Sequence, residues 1–560
     1  MNRHPLRVVC VAGVGFGVAA LAGMAGMVLP ESACNAQQLQ RLIGTPSEEQ
    51  FNGATAIGVD GFVAVGRMAT TTGDDNMLVM RLDSAGRKIW ARVLETGAYD
   101  EAFSVIRTLD GNIVLAGVSR SDPTRTIVVV KMDLAGNVLW ANKLFGDNSL
   151  DVVADFHPIV TESPQGRLFV IGHHAEPSPN GFTQFGRLIS LTTAGTVGLD
   201  IQFNQAGEPP MISPSDIEVV SSPDGIQGLL ICGTKRDIPP GGAFPMLRRG
   251  FLTLYVPGVG FVSTTEHNGV DPAQGVPLDL SFHSLSVRGA EPVVFVNGMS
   301  QVEVDSLDAA ALMAIPPGVV APAAWALHFR DIVPAQAGLV RANSANLVWT
   351  GSHIFGDGGQ LAQLQSTDIN GVALWNYEYR YPFNSASGAL VVEPSSRDNV
   401  MFGRGFDFNL GYGGSDALFI RADQFGRLPN TQCPEQSLEP VQPWSPQAKL
   451  VTFVGSQVPP VRPWEFVLRE PSPRDNRVCP TPGGCCIGDI ASDSLDVVYN
   501  PNGSIGAEDL DAFIAGFIAN NVLIADVASD SLDTTCNPNG AVGAEDLDAF
   551  IASFISGVCP

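Results

Sequence analysis

A pattern of four short strands returns seven times along this chain, with a Gly closing the second strand of each return and an Asp-x-x-Gly-x-x-x-Trp segment after several third strands. Together these predict a mainly β protein. Four-stranded antiparallel units in tandem most simply close into a β-propeller, here seven-bladed, because no unit buries both its sheet faces alone. An array of sandwiches is the other arrangement the pattern allows. Behind the units, an Asp- and Asn-rich tail with helical periodicity predicts a small α-helical domain. The 560 residues are 45% apolar with 60 Gly and 40 Pro, which suits short strands joined by turns and excludes a disordered chain. A formal charge of −25 argues against any nucleic-acid partner.

In chain order, Arg3, His4 and Arg7 precede an apolar run from Val8 to Leu29, then Pro30 and the small residues Ser32 to Ala36. This reads as a signal peptide over residues 1–36, cleaved after Ala36; left uncleaved, the run would be an N-terminal membrane anchor. Export would make the protein extracellular, surface-bound or periplasmic, and would permit disulfides. Cys232 stands alone in an apolar run and reads as a buried thiol. Cys433, Cys479, Cys485, Cys486, Cys536 and Cys559 gather in the last quarter and read as disulfide staples whose pairing the spacing leaves open.

Residues 37–432 hold the propeller. Its clearest unit is Phe103–Phe145, with strands FSVIRT, NIVLAGVS, TIVVVKMD and VLWANKLF separated by Asp110-Gly111 and Ala135-Gly136 turns. The second-strand Gly recurs as Gly66, Gly117, Gly172, Gly233, Gly298, Gly351 and Gly403. Trp90, Trp140, Trp325 and Trp375 open fourth strands, where an aromatic ring can pack between neighbouring sheets. The seventh unit lacks a fourth strand, and Leu39–Gly44 is a strand without a unit. Pairing the two would lock the ring and remove two exposed edges. The body resembles the secreted propeller repeats in which Asp-x-x-Gly-x-x-x-Trp follows each third strand, as at Asp83–Trp90, Asp133–Trp140 and Asp368–Trp375. That resemblance implies a fold and not an activity. The motif is also similar to quinoprotein dehydrogenases, but the adjacent cysteines of that class are matched only by Cys485-Cys486, outside the blades. Residues 433–484 are a Pro-rich linker, expected to be extended, in which Ala448–Gly455 and Trp464–Arg469 are candidate strands on the propeller's flank.

Residues 485–560 write one unit twice, Asp489–Ile518 and Asp526–Ile555, at a period of about 37 residues. From Cys479 onward there are twelve acids and no Lys, Arg or His, a cluster that calls for cations. Counting back from Asp509 as position twelve of an EF-type loop puts Asn500 at three, Asn502 at five, Gly503 at six and Ile505 at eight. Asn537, Asn539, Gly540, Val542 and Asp546 repeat this. Position one is Val498 or Thr535, so the missing acid is sought upstream among Asp489, Asp493 and Asp496, and Asp526, Asp530 and Asp533. All-oxygen donors favour calcium. Leu510, Phe513, Ile514, Phe517 and Ile518 form an apolar helix face, repeated by Leu547, Phe550, Ile551, Phe554 and Ile555, and the two faces can pack across a pseudo-two-fold axis. The tail resembles dockerin modules, duplicated calcium loop-helix units of exported proteins. The resemblance implies docking to a cohesin-type or other cell-surface protein, with the absent first acid as a departure from the family.

The body offers fewer chemical signals. Glu49, Glu101, Asp155, Asp216 and Asp279 each stand near a first strand, where they can ring the channel mouth or accept backbone N–H groups of the next blade. His173, His174 and His353 follow second-strand glycines with no carboxylate pattern nearby and read as surface residues. No Gly-x-Ser-x-Gly or His-Glu-x-x-His motif occurs. The reading is an exported calcium-binding protein, with no catalytic residues assigned, whose propeller offers a binding face to a protein or glycan. The alternative is a carbohydrate-active enzyme, a propeller glycoside hydrolase or lyase, recruited by its tail.

Overall fold

The computed structural model describes residues 39–477 apart from connecting segments between strands, together with residues 507–518, 525, 547, 550 and 551. Residues 1–36 lie outside the described residues, and the described residues all belong to one compact unit.

Strand β1 (Leu39–Gly44) precedes the repeats. The first unit is β2 (Glu49–Ala56), β3 (Phe62–Ala69), β4 (Asp75–Leu82) and β5 (Lys88–Glu95). The second is β6 (Asp100–Arg107), β7 (Ile113–Ser119), β8 (Thr126–Met132) and β9 (Val138–Leu144). Next come β10 (Ile159–Glu162), β11 (Leu168–Ser178), β12 (Gly181–Leu191) and β13 (Val197–Gln205). The fourth unit is β14 (Ile212–Ser221), β15 (Gln227–Arg236), β16 (Arg248–Val256) and β17 (Gly260–Val270), with a short β18 (Pro277–Leu278). The fifth is β19 (Leu280–Val287), β20 (Val294–Gln301), β21 (Asp308–Ile315) and β22 (Trp325–Phe329). Then follow β23 (Ile332–Arg341), β24 (Asn346–Ile354), β25 (Gln360–Asp368) and β26 (Ala373–Tyr379), and finally β27 (Ser385–Val392), β28 (Asn399–Gly405) and β29 (Asp416–Ala422).

Counted as hydrogen-bonded sheets, the propeller has six blades and not the seven that the sequence predicts. The cause is one parallel bridge, Ala337 to Ala389, which joins β23 to β27 and makes the last two units a single ten-stranded sheet. β23 reaches β27 because it leaves β24 between Pro334 and Leu339. The two halves of that sheet still pack against each other across Leu42, Val348, Leu364, Tyr379, Met401 and Leu418. The innermost strands neighbour one another in the order β2, β6, β10, β14, β19, β23, β27, and β27 returns to β2. β1 closes the ring as the outer partner of β29, with Leu42 opposite Leu418. Across that junction Phe51, Phe62, Phe402 and Phe419 pack mostly edge to face, with centroids 5.4–6.0 Å apart.

The recurrent second-strand Gly has a local cause. Most first strands carry a bulge, as between Phe51 and Gly53 or Phe282 and Ser284, and the Gly lies opposite it. A Cβ on Gly66, Gly117, Gly233, Gly298 or Gly403 would run into a first-strand backbone carbonyl. The Asp-x-x-Gly-x-x-x-Trp segment joins blades. Asp133 Oδ1 accepts the N–H groups of Ala135 and Asn137, and Gly136 takes a φ of 85° to turn the chain. A Cβ there would lie 3.3 Å from the Trp90 ring of the preceding unit, whose indole N–H donates to Leu134 O at 3.0 Å. Trp140 repeats this with Thr193 O at 2.9 Å.

The Pro-rich stretch supplies further outer-edge strands: β30 (Glu435–Ser437), β31 (Gln447–Val451), β32 (Phe453–Gln457), β33 (Arg462–Pro463), β34 (Val467–Arg469) and β35 (Arg474–Arg477). They pair in turn with β26, β17, β13, β9, β5 and β1, running round the ring against the order of the units. In the tail, helix α1 (Ala507–Ile518) forms where the repeat predicts one, and Leu547, Phe550 and Ile551 of the second copy are helical. Phe513 stacks on its repeat-equivalent Phe550, with ring centroids 4.0 Å apart and planes at 4°. Ile514, Ile518 and Ile551, which the periodicity assigns to the apolar face, are exposed.

Candidate functional site

The ring has two chemically different ends. At one lie the Asp-x-x-Gly turns and the turns between first and second strands. At the other, second strands finish and third strands begin, and there polar side chains from the ten-stranded sheet and the first two units collect. Arg67 ends β3, Asp75 opens β4, Gln50 and Asn52 stand on β2, Tyr99 and Glu101 lead into β6, and Arg404 ends β28. Arg67 and Arg404 occupy equivalent positions, each one residue after its second-strand Gly.

Glu101 organises this cluster. Its Oε1 accepts from Gln50 Nε2 and Asn52 Nδ2, both at 2.9 Å, with Arg67 Nε 4.0 Å away. Its Oε2 accepts the Tyr99 hydroxyl. Asn52 also donates to Ala102 O at 2.9 Å, so the same side chain ties β2 to β6. With both oxygens occupied and a side chain only 7% exposed, Glu101 is an anchor for its neighbours. Arg67 pairs with Asp75 on its other side. Burial works to lower the Arg67 pKa, but the hydrogen bond and charge of Asp75, then the charges of Glu101 and Tyr99, carry it up. Burial and the charge and hydrogen bond of Glu101 push the Tyr99 phenol well above its usual range, so it stays a protonated donor. Arg404 goes the other way: burial, then the Arg67 charge, lower its pKa against Glu48 and Glu101. The two half-buried guanidiniums repel one another, while Asp75, Glu101 and Glu48 supply the opposing charge around them.

No protein-family model and no curated protein sequence matches this chain. Among solved structures it is similar to the polysaccharide lyase Uly1, with a TM-score of 0.42 and 9% identity over 69% of this chain and 100% of that one. It is similar also to an endo-1,5-α-L-arabinanase from Thermotoga petrophila RKU-1, with a TM-score of 0.23 and 7% identity over 68% of this chain and 99% of that one. A Bombyx mori GH32 β-fructofuranosidase gives a TM-score of 0.24 and 12% identity over 74% of this chain and 94% of that one. These likenesses concern the propeller alone and say nothing about the side chains above.

The acids singled out in the sequence divide. Glu101 anchors the cluster. Asp216 Oδ2 accepts Leu285 N–H at 2.8 Å, an amide of the next unit, and Glu218 Oε2 accepts Val287 N–H at 2.9 Å beside it. Asp279 accepts Arg248 N–H at 2.9 Å, Glu49 N–H donates to Ser415 O, and Asp155 lies outside the described residues. Asp216 and Glu218, both on the innermost strand β14, are enclosed by protein yet keep some solvent exposure. Burial raises their pKa values to about 7 and about 8. Cys232 is a buried free thiol beside them, its pKa raised by burial and then by the Asp216 charge. His173 is buried rather than superficial, and His353 pairs with the buried carboxylate of Glu378 at 2.8 Å, a contact between β24 and β26 that nothing in the local sequence announces. Of the residues proposed to bind calcium, Asp509 falls in the first turn of α1; Asp489, Asp493, Asp496, Asn500, Asn502, Asp526, Asp530, Asp533, Asn537, Asn539 and Asp546 lie outside the described residues. So do the six C-terminal cysteines and the N-terminal segment. No helix among the described residues is long and apolar enough to cross a membrane. Sequence reasoning missed Arg67, Tyr99 and Arg404, although a basic residue directly after the second-strand Gly in two units was a readable signal.

Proposed function

We propose that the protein is a carbohydrate-active propeller that holds an acidic glycan between Arg67 and Arg404. The observation that carries this reading is the pair of half-buried guanidiniums, the Arg404 pKa lowered by burial and then by the Arg67 charge, in a cluster with a phenol held protonated. A uronate carboxylate matches a guanidinium in shape and charge. Of the two ways to cleave such a glycan, neither finds all its groups in this cluster. Hydrolysis wants two carboxylates that exchange protons, and here Glu101 is saturated while Asp75 is ion-paired. Elimination breaks the C5–H and C4–O bonds and so needs a base for the C5 proton as well as a donor for the departing oxygen. Tyr99, held protonated, can be only the donor, and no other described group of the cluster is a free base, so binding of the glycan is what the cluster supports. The test is titration with polygalacturonate and polyglucuronate oligomers, together with ultraviolet absorbance of an unsaturated uronate product. Arg404→Ala should weaken binding at least about tenfold. Binding without absorbance would leave a non-catalytic glycan receptor; no binding by the intact protein would remove the proposal.

A second reading concerns the tail. We infer that the duplicated segment binds calcium and attaches the exported propeller to a cell-surface partner of the cohesin type. It is supported by the stack of Phe513 on Phe550, the contact that two copies related by a pseudo-two-fold axis would make. The donors are hard oxygens, and Asp509 sits in the first turn of α1, where the last position of such a loop belongs. Calorimetric titration of the full chain with calcium should show saturable binding that Asp509→Asn and Asp546→Asn together abolish. Equal heats from the variant would remove the metal assignment.

A further inference from the structure

At the end of the ring that carries the Asp-x-x-Gly turns, three neighbouring turns present apolar and basic side chains together. Val372 and Leu374 beside the turn after β25, Phe425 in the turn after β29 and Ile89 beside the turn after β4 are 46–58% exposed. Arg427 and Arg87, each next after the Gly of its turn, are exposed with them. Single exposed apolar residues need no explanation, but these stand on turns that touch. A Cβ on Gly426 would lie 2.6 Å from the Trp375 ring, Arg421 donates to Ser84 O, and Arg41 Nε donates to Ala85 O at 2.9 Å. The aspartates of the same turns, Asp83, Asp368 and Asp423, are half-buried and accept N–H groups of their own turns, so the arginines are the outward charges.

The tail has a matching surface. Helix α1 stacks Phe513 on Phe550, and that contact leaves another side of the helix uncovered. Asp511, Ile514, Ala515 and Ile518 recur at the three- and four-residue spacings of one helix face, and all four are exposed, Ile518 at 81%. Ile551, the repeat-equivalent of Ile514, is exposed as well. From Cys479 onward the chain holds twelve acids and no Lys, Arg or His, so nearly half of its net charge of −25 sits in this segment. An apolar stripe on an acidic module complements an apolar patch that carries arginines.

The chain is also led toward that patch. β1 takes the place of a fourth strand, so it starts at the Asp-x-x-Gly end and finishes at the other. β35 pairs antiparallel with it, Arg474 opposite Gly44 and Arg477 opposite Arg41. It therefore runs toward the Asp-x-x-Gly end and leaves at the outer edge of the unit that carries Phe425 and Arg427. Residues 478–506 separate β35 from α1, enough at about 3.3 Å per residue to reach the neighbouring units. Such a tether makes the encounter intramolecular, which favours this chain's own tail over a second copy.

We propose that the acidic C-terminal repeat docks on this patch of its own propeller, with the exposed isoleucines of α1 against Leu374, Phe425 and Ile89 and with Arg87 and Arg427 facing the tail's acids. Both surfaces are exposed in the structure, so the contact is a closure of the molecule on itself. It lies at the Asp-x-x-Gly end and leaves the opposite end, with Arg67 and Glu101, open. The contact needs neither a glycan nor calcium, and any outside partner that takes the same helix face must displace it.

Hydrogen exchange of the full chain at low ionic strength, read by mass spectrometry, tests this. In an Ile514→Asp, Ile518→Asp variant, peptides covering 369–376 and 423–428 should exchange at least about fivefold faster than in wild type, while the turn at 109–112 stays unchanged. From the other side, an Arg87→Glu, Arg427→Glu variant should speed exchange over 511–518 by a similar factor, and this variant decides the matter if the first does not fold. Wild-type protection should not depend on protein concentration. Protection that grows with concentration, alongside a dimeric mass in light scattering, overturns the intramolecular contact in favour of a second copy. Exchange unchanged at both surfaces in both variants removes the docking altogether.

Discussion

Gly66 and Gly111 are glycines for different physical reasons, and the difference can be measured. At Gly66 the backbone is ordinary, but a Cβ would strike Gln50 O and the Phe51 backbone. The bulge that brings this carbonyl close is part of the ladder between β2 and β3, so it cannot move without breaking pairs. Gly111 has open space around it and a φ of 84°, so only its own conformation resists a side chain. Gly66→Ala should therefore cost on the order of 3 kcal/mol or more, as overpacking against backbone does. Gly111→Ala should cost only about 1 kcal/mol, the ordinary penalty of a left-handed alanine. Denaturant melts of the two variants check this, and equal losses would show that the second-strand Gly is not held by the bulge.

At the level of elements, what was legible follows from how far each cause reaches. A second-strand Gly answers to a carbonyl one strand away, and an Asp-x-x-Gly turn answers to its own Asp, so both repeat visibly and place the strands. The closing role of β1 was legible because the seventh unit ran short of a strand. The merger of the last two units was not, since one bridge between Ala337 and Ala389 leaves no trace in hydropathy. The outer strands β30–β35 were only half visible. Each borrows its register from the blade edge it meets, and an edge strand of two to five residues needs no alternation of its own. Their arrangement gives the Pro-rich stretch a use beyond spacing the tail: β35 covers β1 on the side away from β29, so the closing strand is paired along both edges. The polar cluster around Glu101 lay furthest from view. Arg67 and Arg404 are separated by most of the propeller in sequence, and only ring closure brings them within reach of each other's charge.

For the molecule as a whole, the enclosed acids of β14 set how stability responds to pH. Asp216 and Glu218 ionise at about 7 and about 8 in the folded protein, against ordinary values of 3.8 and 4.5. The folded state thus keeps two protons that the unfolded chain has lost, and by linkage stability falls as pH rises from the ordinary values through the folded ones. His267 opposes part of this. It is buried, and its pKa is lowered from 6.5 to about 4, so between those values the unfolded chain binds the extra proton and stability rises with pH. The two contributions partly cancel below 6.5, and the uncompensated fall is concentrated between 6.5 and about 8. Melting temperature should accordingly decline across that upper window. Asp216→Asn with Glu218→Gln keeps an oxygen for the Leu285 and Val287 amides while removing both titrations. That double variant should lose the decline and melt higher than wild type at pH 8, whereas His267→Gln should keep the decline and extend it to lower pH. A wild-type melting temperature that is flat over the upper window would mean that the two carboxylates are ionised there, with enough water reaching them to solvate both.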